Sequence, residues 1–96
     1  MNIPKSFMLA GQNITVVLIP DLYEKRNIVG EALYFQQKII LDTGSCSQEQ
    51  VEQNFLHELM HWIFFVMNED KLRNDEKIVD VIAHFLHQMH KTTKND

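Results

Sequence analysis

The 96-residue chain is poor in residues that define several common classes of protein. Cys46 is its only cysteine, which excludes an internal disulfide and a cysteine-rich zinc site. Any metal ion would therefore need ligands from His, Asp or Glu. There are only three glycines and two prolines, with no repeat and no linker-like stretch, so residues 1–96 are expected to form a single domain.

Charge and hydropathy argue against two further kinds of partner. The 9 basic residues are scattered and outnumbered by 13 acidic ones, giving a formal net charge of -4, so nucleic acid is not expected as a partner. No apolar run approaches membrane-spanning length, and the N-terminus lacks the basic start and apolar stretch of a signal peptide. We therefore expect no membrane partner and a cytoplasmic location.

The first half of the chain is rich in short β-branched and aromatic runs separated by turn-forming residues. These runs cover residues 6–9, 14–19, 28–35 and 38–41. The polar stretch between the second and third runs is too short for a crossover helix, so a small antiparallel sheet of three to four strands is predicted. Residues 30–35 are a candidate edge strand, although the sequence equally allows an interior position.

The second half carries two helical patterns. Ser47 and Gln50 form a potential capping box for a helix predicted over residues 47–67. One face of this helix repeats apolar side chains: Val51, Phe55, Leu59, Trp62 and Val66. After a polar turn at residues 68–74, a second, antiparallel helix is predicted over residues 75–89, and the polar end from His90 is expected to fray. Its predicted apolar stripe is Ile78, Val81 or Ile82, Phe85 and Met89.

Strands followed by a helical hairpin predict an α+β domain. The aromatic run at residues 62–65 is expected to be core on both faces of the first helix, with a dimer patch as the alternative. The oligomeric state is left open by the sequence.

The first predicted helix contains His57-Glu58-Leu59-Met60-His61, which matches H-E-x-x-H. Histidines four residues apart lie on one helix face, so both imidazoles can bind one ion while Glu58 projects beside them. The pattern predicts a single Zn²⁺ ion, with Glu58 as a general base. The alternative is a pair of ordinary helix-surface histidines, and the full motif in a helical setting argues against it.

A hydrolytic zinc site usually has three protein ligands and an open position for water. Glu76 and Asp80, four residues apart, share a face at the start of the second helix. An antiparallel return of the chain brings this turn toward the middle of the first helix. The spacing alone leaves either carboxylate as the third ligand.

An H-E-x-x-H motif followed by Glu-x-x-x-Asp resembles the gluzincin group of zinc metallopeptidases, and the whole chain is similar to small phage and prophage proteins of the minimal-gluzincin type. The resemblance implies a zincin-like fold, Glu76 as third zinc ligand and Asp80 as the carboxylate that supports His57. It also implies a zinc metalloendopeptidase that acts on a peptide or protein substrate, with Glu58 as general base and zinc-bound water as nucleophile. Such a substrate would lie extended along an edge strand.

The chain departs from larger gluzincins because no lower subdomain is expected after the second helix. The residues that complete the substrate pocket and stabilise the oxyanion in those enzymes are therefore missing or must come from another source. His84, two helical turns from Glu76, is the reserve candidate for oxyanion support, whereas His87 and His90 are interpreted as ordinary helix-face histidines. Two alternatives to an active peptidase follow. The chain could be a non-catalytic zinc-binding module with a binding or regulatory role, or a latent peptidase whose tail, residues 87–96, folds over the cleft.

Overall fold

The structure, a computed structural model, describes residues 1–95 and confirms the predicted α+β class. Its elements in chain order are β1 (Ser6–Leu9), β2 (Gln12–Ile19), α1 (Leu22–Arg26), β3 (Gly30–Leu33), β4 (Lys38–Asp42), α2 (Gln48–Val66), α3 (Asp70–Arg73) and α4 (Glu76–Thr92). The helices α2 and α4 pack as an antiparallel pair, and α2 also packs against β3 and β4. No helix among the described residues is both long and apolar enough to cross a membrane.

The four-stranded sheet is mixed, so the prediction of a purely antiparallel sheet is wrong. The strand order is β1-β2-β4-β3, in which β2 and β4 run parallel and the other two pairs run antiparallel. After β2 the chain passes through α1 and returns as β3, leaving a gap one strand wide. The turn after β3 then brings β4 into that gap, where it runs in the direction of β2.

The crossover through α1 is held by a buried carboxylate at the end of β4. Asp42 is 0% exposed and accepts hydrogen bonds from the backbone N–H groups of Tyr23, at 2.9 Å, and Ser45, at 2.8 Å. The bond from Tyr23 is the largest influence that holds the pKa of Asp42 below its ordinary value. Asp42 therefore joins α1 to the end of the sheet and fixes where β3 begins.

The strand β3 lies at an edge of the sheet, as one of the two sequence interpretations predicted for this run. It covers Gly30–Leu33, shorter than the predicted residues 28–35, because the next four residues form the turn into β4. In the described part of the chain only β4 pairs with β3, so the backbone groups on the other side of β3 have no partner strand there.

Helix α2 begins at the predicted place because the capping box is formed. The Ser47 side chain accepts from the backbone of Gln50 at 3.2 Å, and the Gln50 side chain accepts from the backbone of Ser47 at 2.7 Å. Trp62 is 0% exposed and donates its indole N–H to the carbonyl of Lys38 at 3.0 Å. Phe64 is also buried, so this part of the aromatic run is core, as predicted.

Helix α4 buries a face that shares only Ile82 with the predicted apolar stripe. Val79 and Ala83, both 0% exposed, contact α2, whereas Phe85 is 65% and Met89 58% exposed. The α4 sequence carries two adjacent apolar stripes, and the stripe with smaller side chains lets the two helix axes approach closely. The helix also continues to Thr92, beyond the expected end, and the polar turn before it includes the one-turn helix α3.

A buried carboxylate and several basic groups join the start of α2 to the end of α4. Glu52 on α2 is 2% exposed and contacts His87 Nε2 at 2.9 Å and the N-terminal amine of Met1 at 3.2 Å. Lys91 Nζ lies 3.9 Å from Glu52 and 2.8 Å from Glu49. The hydrogen bond to His87, opposed by burial, is the main reason that the pKa of Glu52 is lowered to about 2.

We expect this cluster to make stability depend on pH in acid. Because folding lowers the pKa of Glu52 from 4.5 to about 2, its contribution is complete above about pH 4.5 and is lost as the pH falls toward 2. Glu52→Gln should therefore be less stable than the wild type at pH 6, and the difference should shrink as the pH falls. Urea unfolding of both proteins between pH 2 and 6 measures this, with Glu49→Gln as the control.

Glu49 is 58% exposed, so its loss should change stability by only about 0–1 kcal/mol. A constant difference between Glu52→Gln and the wild type across this pH range would contradict the prediction.

Candidate metal centre

Three side chains from two helices, those of His57, His61 and Glu76, lie together at the middle of α2. His57 Nε2 lies 3.0 Å from one carboxylate oxygen of Glu76, and His61 Nε2 lies 3.1 Å from the other. The histidines stand on one face of α2 with ring centroids 5.0 Å apart, and Glu76 is the first residue of α4. Antiparallel packing of the two helices is what brings this turn to the histidines.

The outer nitrogen of the His57 ring is also held. His57 Nδ1 lies 3.1 Å from Oδ1 of Asp80, one turn after Glu76 on α4. Burial is the main reason that the pKa of His61 is lowered. An outer bond such as that of His57 selects the tautomer that leaves Nε2 with a free lone pair. Asp80 thus stands where the sequence resemblance implied it would.

This set of atoms fits a zinc ion. One potential ligand atom from each of the three residues lies within 4.8 Å of the other two. Ligand atoms around a tetrahedral zinc are about 3.4 Å apart, since each stands at roughly 2.0–2.2 Å from the ion. The contacts of 3.0 and 3.1 Å would need to open only slightly, and two imidazoles with one carboxylate are a usual zinc ligand set.

Glu58 lies beside the ligands and is buried. Its side chain is 9% exposed, and an added Cβ on Gly30 of β3 would lie 3.3 Å from both its Cγ and its Oε2. Glycine at this position is what allows the edge strand to lie so close to the carboxylate. Burial is the main reason that the pKa of Glu58 is raised to about 7, and a hydrogen bond from the Ala32 backbone acts in the opposite direction.

An open cleft of about 700 Å³ runs between β3 and the start of α4. Its walls include Glu31 of the edge strand, both histidines, Glu58 and Glu76. Because Glu76 is 68% exposed, the candidate metal position is accessible from solvent. The cleft therefore has the three features that a hydrolytic metal site needs: ligands, a buried carboxylate and room for a substrate.

The structure does not bring His84 to this cleft. Its Nδ1 contacts the backbone oxygen of Asp80 at 2.9 Å and the side chain of Gln53 at 3.1 Å, behind the candidate site. This position argues against the predicted role of His84 in oxyanion support. Two residues that the sequence did not single out, Tyr34 and Arg73, do line the cleft.

The predicted tail, residues 87–96, also lies elsewhere, and residue 96 is outside the described part of the chain. His87 is bound to Glu52 near the opposite end of α2, and within residues 1–95 no residue after Asp80 lines the cleft. The antiparallel packing of α4 carries the tail away from the candidate site. The structure thus gives no support to a tail that covers the cleft.

Comparison of the chain with protein-family models, curated proteins and solved structures finds no match. The resemblance to gluzincins consequently remains a prediction based on two sequence motifs.

Proposed function

We propose that the protein is a zinc-dependent metallopeptidase that hydrolyses peptide bonds. The observation that carries the proposal is the convergence of His57 Nε2, His61 Nε2 and the Glu76 carboxylate beside the buried carboxylate of Glu58. Bound zinc would acidify water and polarise a substrate carbonyl group, which are the two functions that amide hydrolysis needs from a metal.

The roles of the side chains follow from their positions. His57, His61 and Glu76 would hold the ion, and Asp80 would keep Nε2 of His57 unprotonated by accepting the Nδ1 proton. Glu58 would accept a proton from the attacking water as the new C–O bond forms. It would then deliver that proton to the amide nitrogen as the C–N bond breaks.

An extended segment of a peptide or protein is the substrate that fits the cleft. The open side of β3 offers unpaired backbone groups along one wall, and an added strand would pass the candidate metal position. Recognition through main-chain hydrogen bonds depends little on side chains, so we expect an unfolded protein to be a usable test substrate.

A non-catalytic zinc-binding module is the second candidate. It is favoured by the open form of the cleft, to which no residue after Asp80 contributes within the described chain. A structural zinc site, however, usually has four protein ligands, whereas the group among residues 1–95 consists of three.

Metal removal and return test the proposal. Protein freed of metal by a chelator should not cleave an unfolded protein substrate, and one equivalent of zinc should restore cleavage. Elemental analysis of the purified wild type and of His61→Ala shows whether the site holds the metal. Zinc bound at this site without any cleavage would favour the non-catalytic module, and metal content unchanged in His61→Ala would contradict both functions.

A further inference from the structure

Amide hydrolysis needs hydrogen-bond donors as well as a base. Attack on the carbonyl carbon shifts electrons to the carbonyl oxygen, and donors aimed at that oxygen are often the largest protein contribution to catalysis. Most of the charged residues that line the cleft are acceptors: Glu31, Glu58, Glu76 and Asp80. Among the cleft-lining residues of the described chain, Arg73 is the only lysine or arginine.

The second candidate donor is Tyr34, which directly follows the edge strand. Its ring is stacked on Phe65 with centroids 4.2 Å apart and planes 13° apart, and its edge meets Trp62 at 5.2 Å. Phe65 follows His61 by four residues, so it continues the ligand face of α2 by one turn, roughly 6 Å along the axis. The ring of Tyr34 is therefore fixed beside the candidate metal position.

The guanidinium group of Arg73 lies against the same aromatic pair. Its Cζ is 5.4 Å from the ring centroid of Tyr34 and 5.9 Å from that of Phe65. Nη2 lies 3.4 Å from Asp70, whereas Nε is buried without a hydrogen-bond partner among the described residues. The hydrogen-bonding capacity of the guanidinium group is therefore not filled by the described residues.

Tyr34 lines the same cleft as Glu58, Arg73 and Glu76. Burial raises the pKa of Tyr34, a hydrogen bond with Arg73 opposes the rise, and the carboxylates of Glu58 and Glu76 add to it. These groups surround one region of the cleft from α2, from α4 and from the turn between them. The hydroxyl therefore remains protonated at neutral pH and can donate a hydrogen bond there.

We infer that Tyr34 and Arg73 form a donor pair that binds the negatively charged oxygen of a tetrahedral acyl adduct, on the wall of the cleft formed by Phe65. The inference rests on the proposed peptidase function. It assigns to Tyr34 and Arg73 the oxyanion support that the sequence analysis predicted for His84. The hydroxyl donates one hydrogen bond, and the planar guanidinium offers N–H groups and a permanent positive charge.

A binding experiment tests this pair without relying on turnover. The probe is a phosphonamidate peptide, whose tetrahedral anionic phosphorus group mimics the adduct, titrated by calorimetry into protein supplied with one equivalent of zinc. Tyr34→Phe removes only the hydroxyl and keeps the ring that stacks on Phe65. We expect it to bind the probe about 10- to 100-fold more weakly than the wild type, because a hydrogen bond to a charged group is lost.

Three controls sharpen the result. A peptide thiol, which binds zinc through sulfur and has no tetrahedral anion, should bind Tyr34→Phe and the wild type equally. Arg73→Lys retains the charge without the planar fork, so it should also weaken binding of the phosphonamidate but not of the thiol. His84→Ala should bind the phosphonamidate as the wild type does, because His84 lies outside the cleft.

The outcomes separate this inference from the proposed function. Equal binding of the phosphonamidate by Tyr34→Phe and the wild type would overturn the inference alone, as would a parallel loss of both probes. Failure of the wild type to bind the phosphonamidate would overturn it too, and weaker binding by His84→Ala alone would return the role to His84. The peptidase function stands or falls separately, on cleavage by the zinc-loaded wild type.

Discussion

Replacing Glu58 by Gln should lower the kcat for cleavage of an unfolded protein by about 10²- to 10⁴-fold, the usual contribution of a general base. The amide has nearly the shape of the carboxylate, so the buried position beside Gly30 can hold it. It cannot, however, accept a proton from water at neutral pH. Because the metal would be bound by other side chains, zinc content should remain at one ion per chain.

The control for this prediction is Glu49→Gln, on the same helix. Glu49 is 58% exposed and contacts Lys91 far from the cleft, so this variant should cleave at the wild-type rate. Cleavage products followed by mass spectrometry, together with elemental analysis of each protein, provide the two measurements. Wild-type cleavage by Glu58→Gln at full zinc content would eliminate Glu58 as the base.

Features that depend on local spacing could be predicted from the sequence. The start of α2 follows from Ser47 and Gln50, which bond each other within one turn of the chain. The pairing of His57 with His61 follows from helical periodicity alone. The approach of Glu76 to the two histidines required only a short turn and an antiparallel return of the chain, and the structure has both.

Features that depend on the packing of distant segments could not be predicted in this way. Whether β4 runs parallel or antiparallel to β2 is decided by where α1 and β3 lead the chain, and strand patterns are alike in both cases. The buried face of α4 had two candidates of similar hydrophobicity, and helical periodicity does not rank them. The choice of Val79 and Ala83 reflects how closely α4 can approach α2, which is a property of both helices.

The donor pair proposed for the cleft could not be predicted from the sequence for the same reason. Tyr34 lies in the turn after β3 and Arg73 in the turn before α4, and no motif links the two positions. The turn at residues 68–74 contains one arginine, but it also contains Lys71, so its sequence gives Arg73 no special role. The role of Arg73 depends on Phe65, whose ring brings the tyrosine and the guanidinium group to the same wall.

The two carboxylates of α4 should differ sharply in what they contribute to zinc binding. Glu76→Ala removes a proposed ligand, so zinc affinity should fall by more than the 10- to 100-fold that is typical for loss of an outer partner. For Asp80→Asn the loss of zinc affinity should lie within that range, because the amide still contacts His57 but no longer favours the tautomer with a free Nε2. Competition with a chromophoric zinc chelator measures all affinities on one scale.

Asp75→Asn provides the matched control for charge. Asp75 precedes Glu76 and caps α4 by accepting from the backbone N–H of Ile78 at 3.1 Å, a bond that asparagine can also make. The variant removes one negative charge near the centre without removing a ligand or a helix cap, so its zinc affinity should change little. A greater loss in Asp80→Asn than in Glu76→Ala would exchange the roles of the two carboxylates. Equal losses in all three variants would mean that the acidic start of α4 attracts the ion only through its net charge.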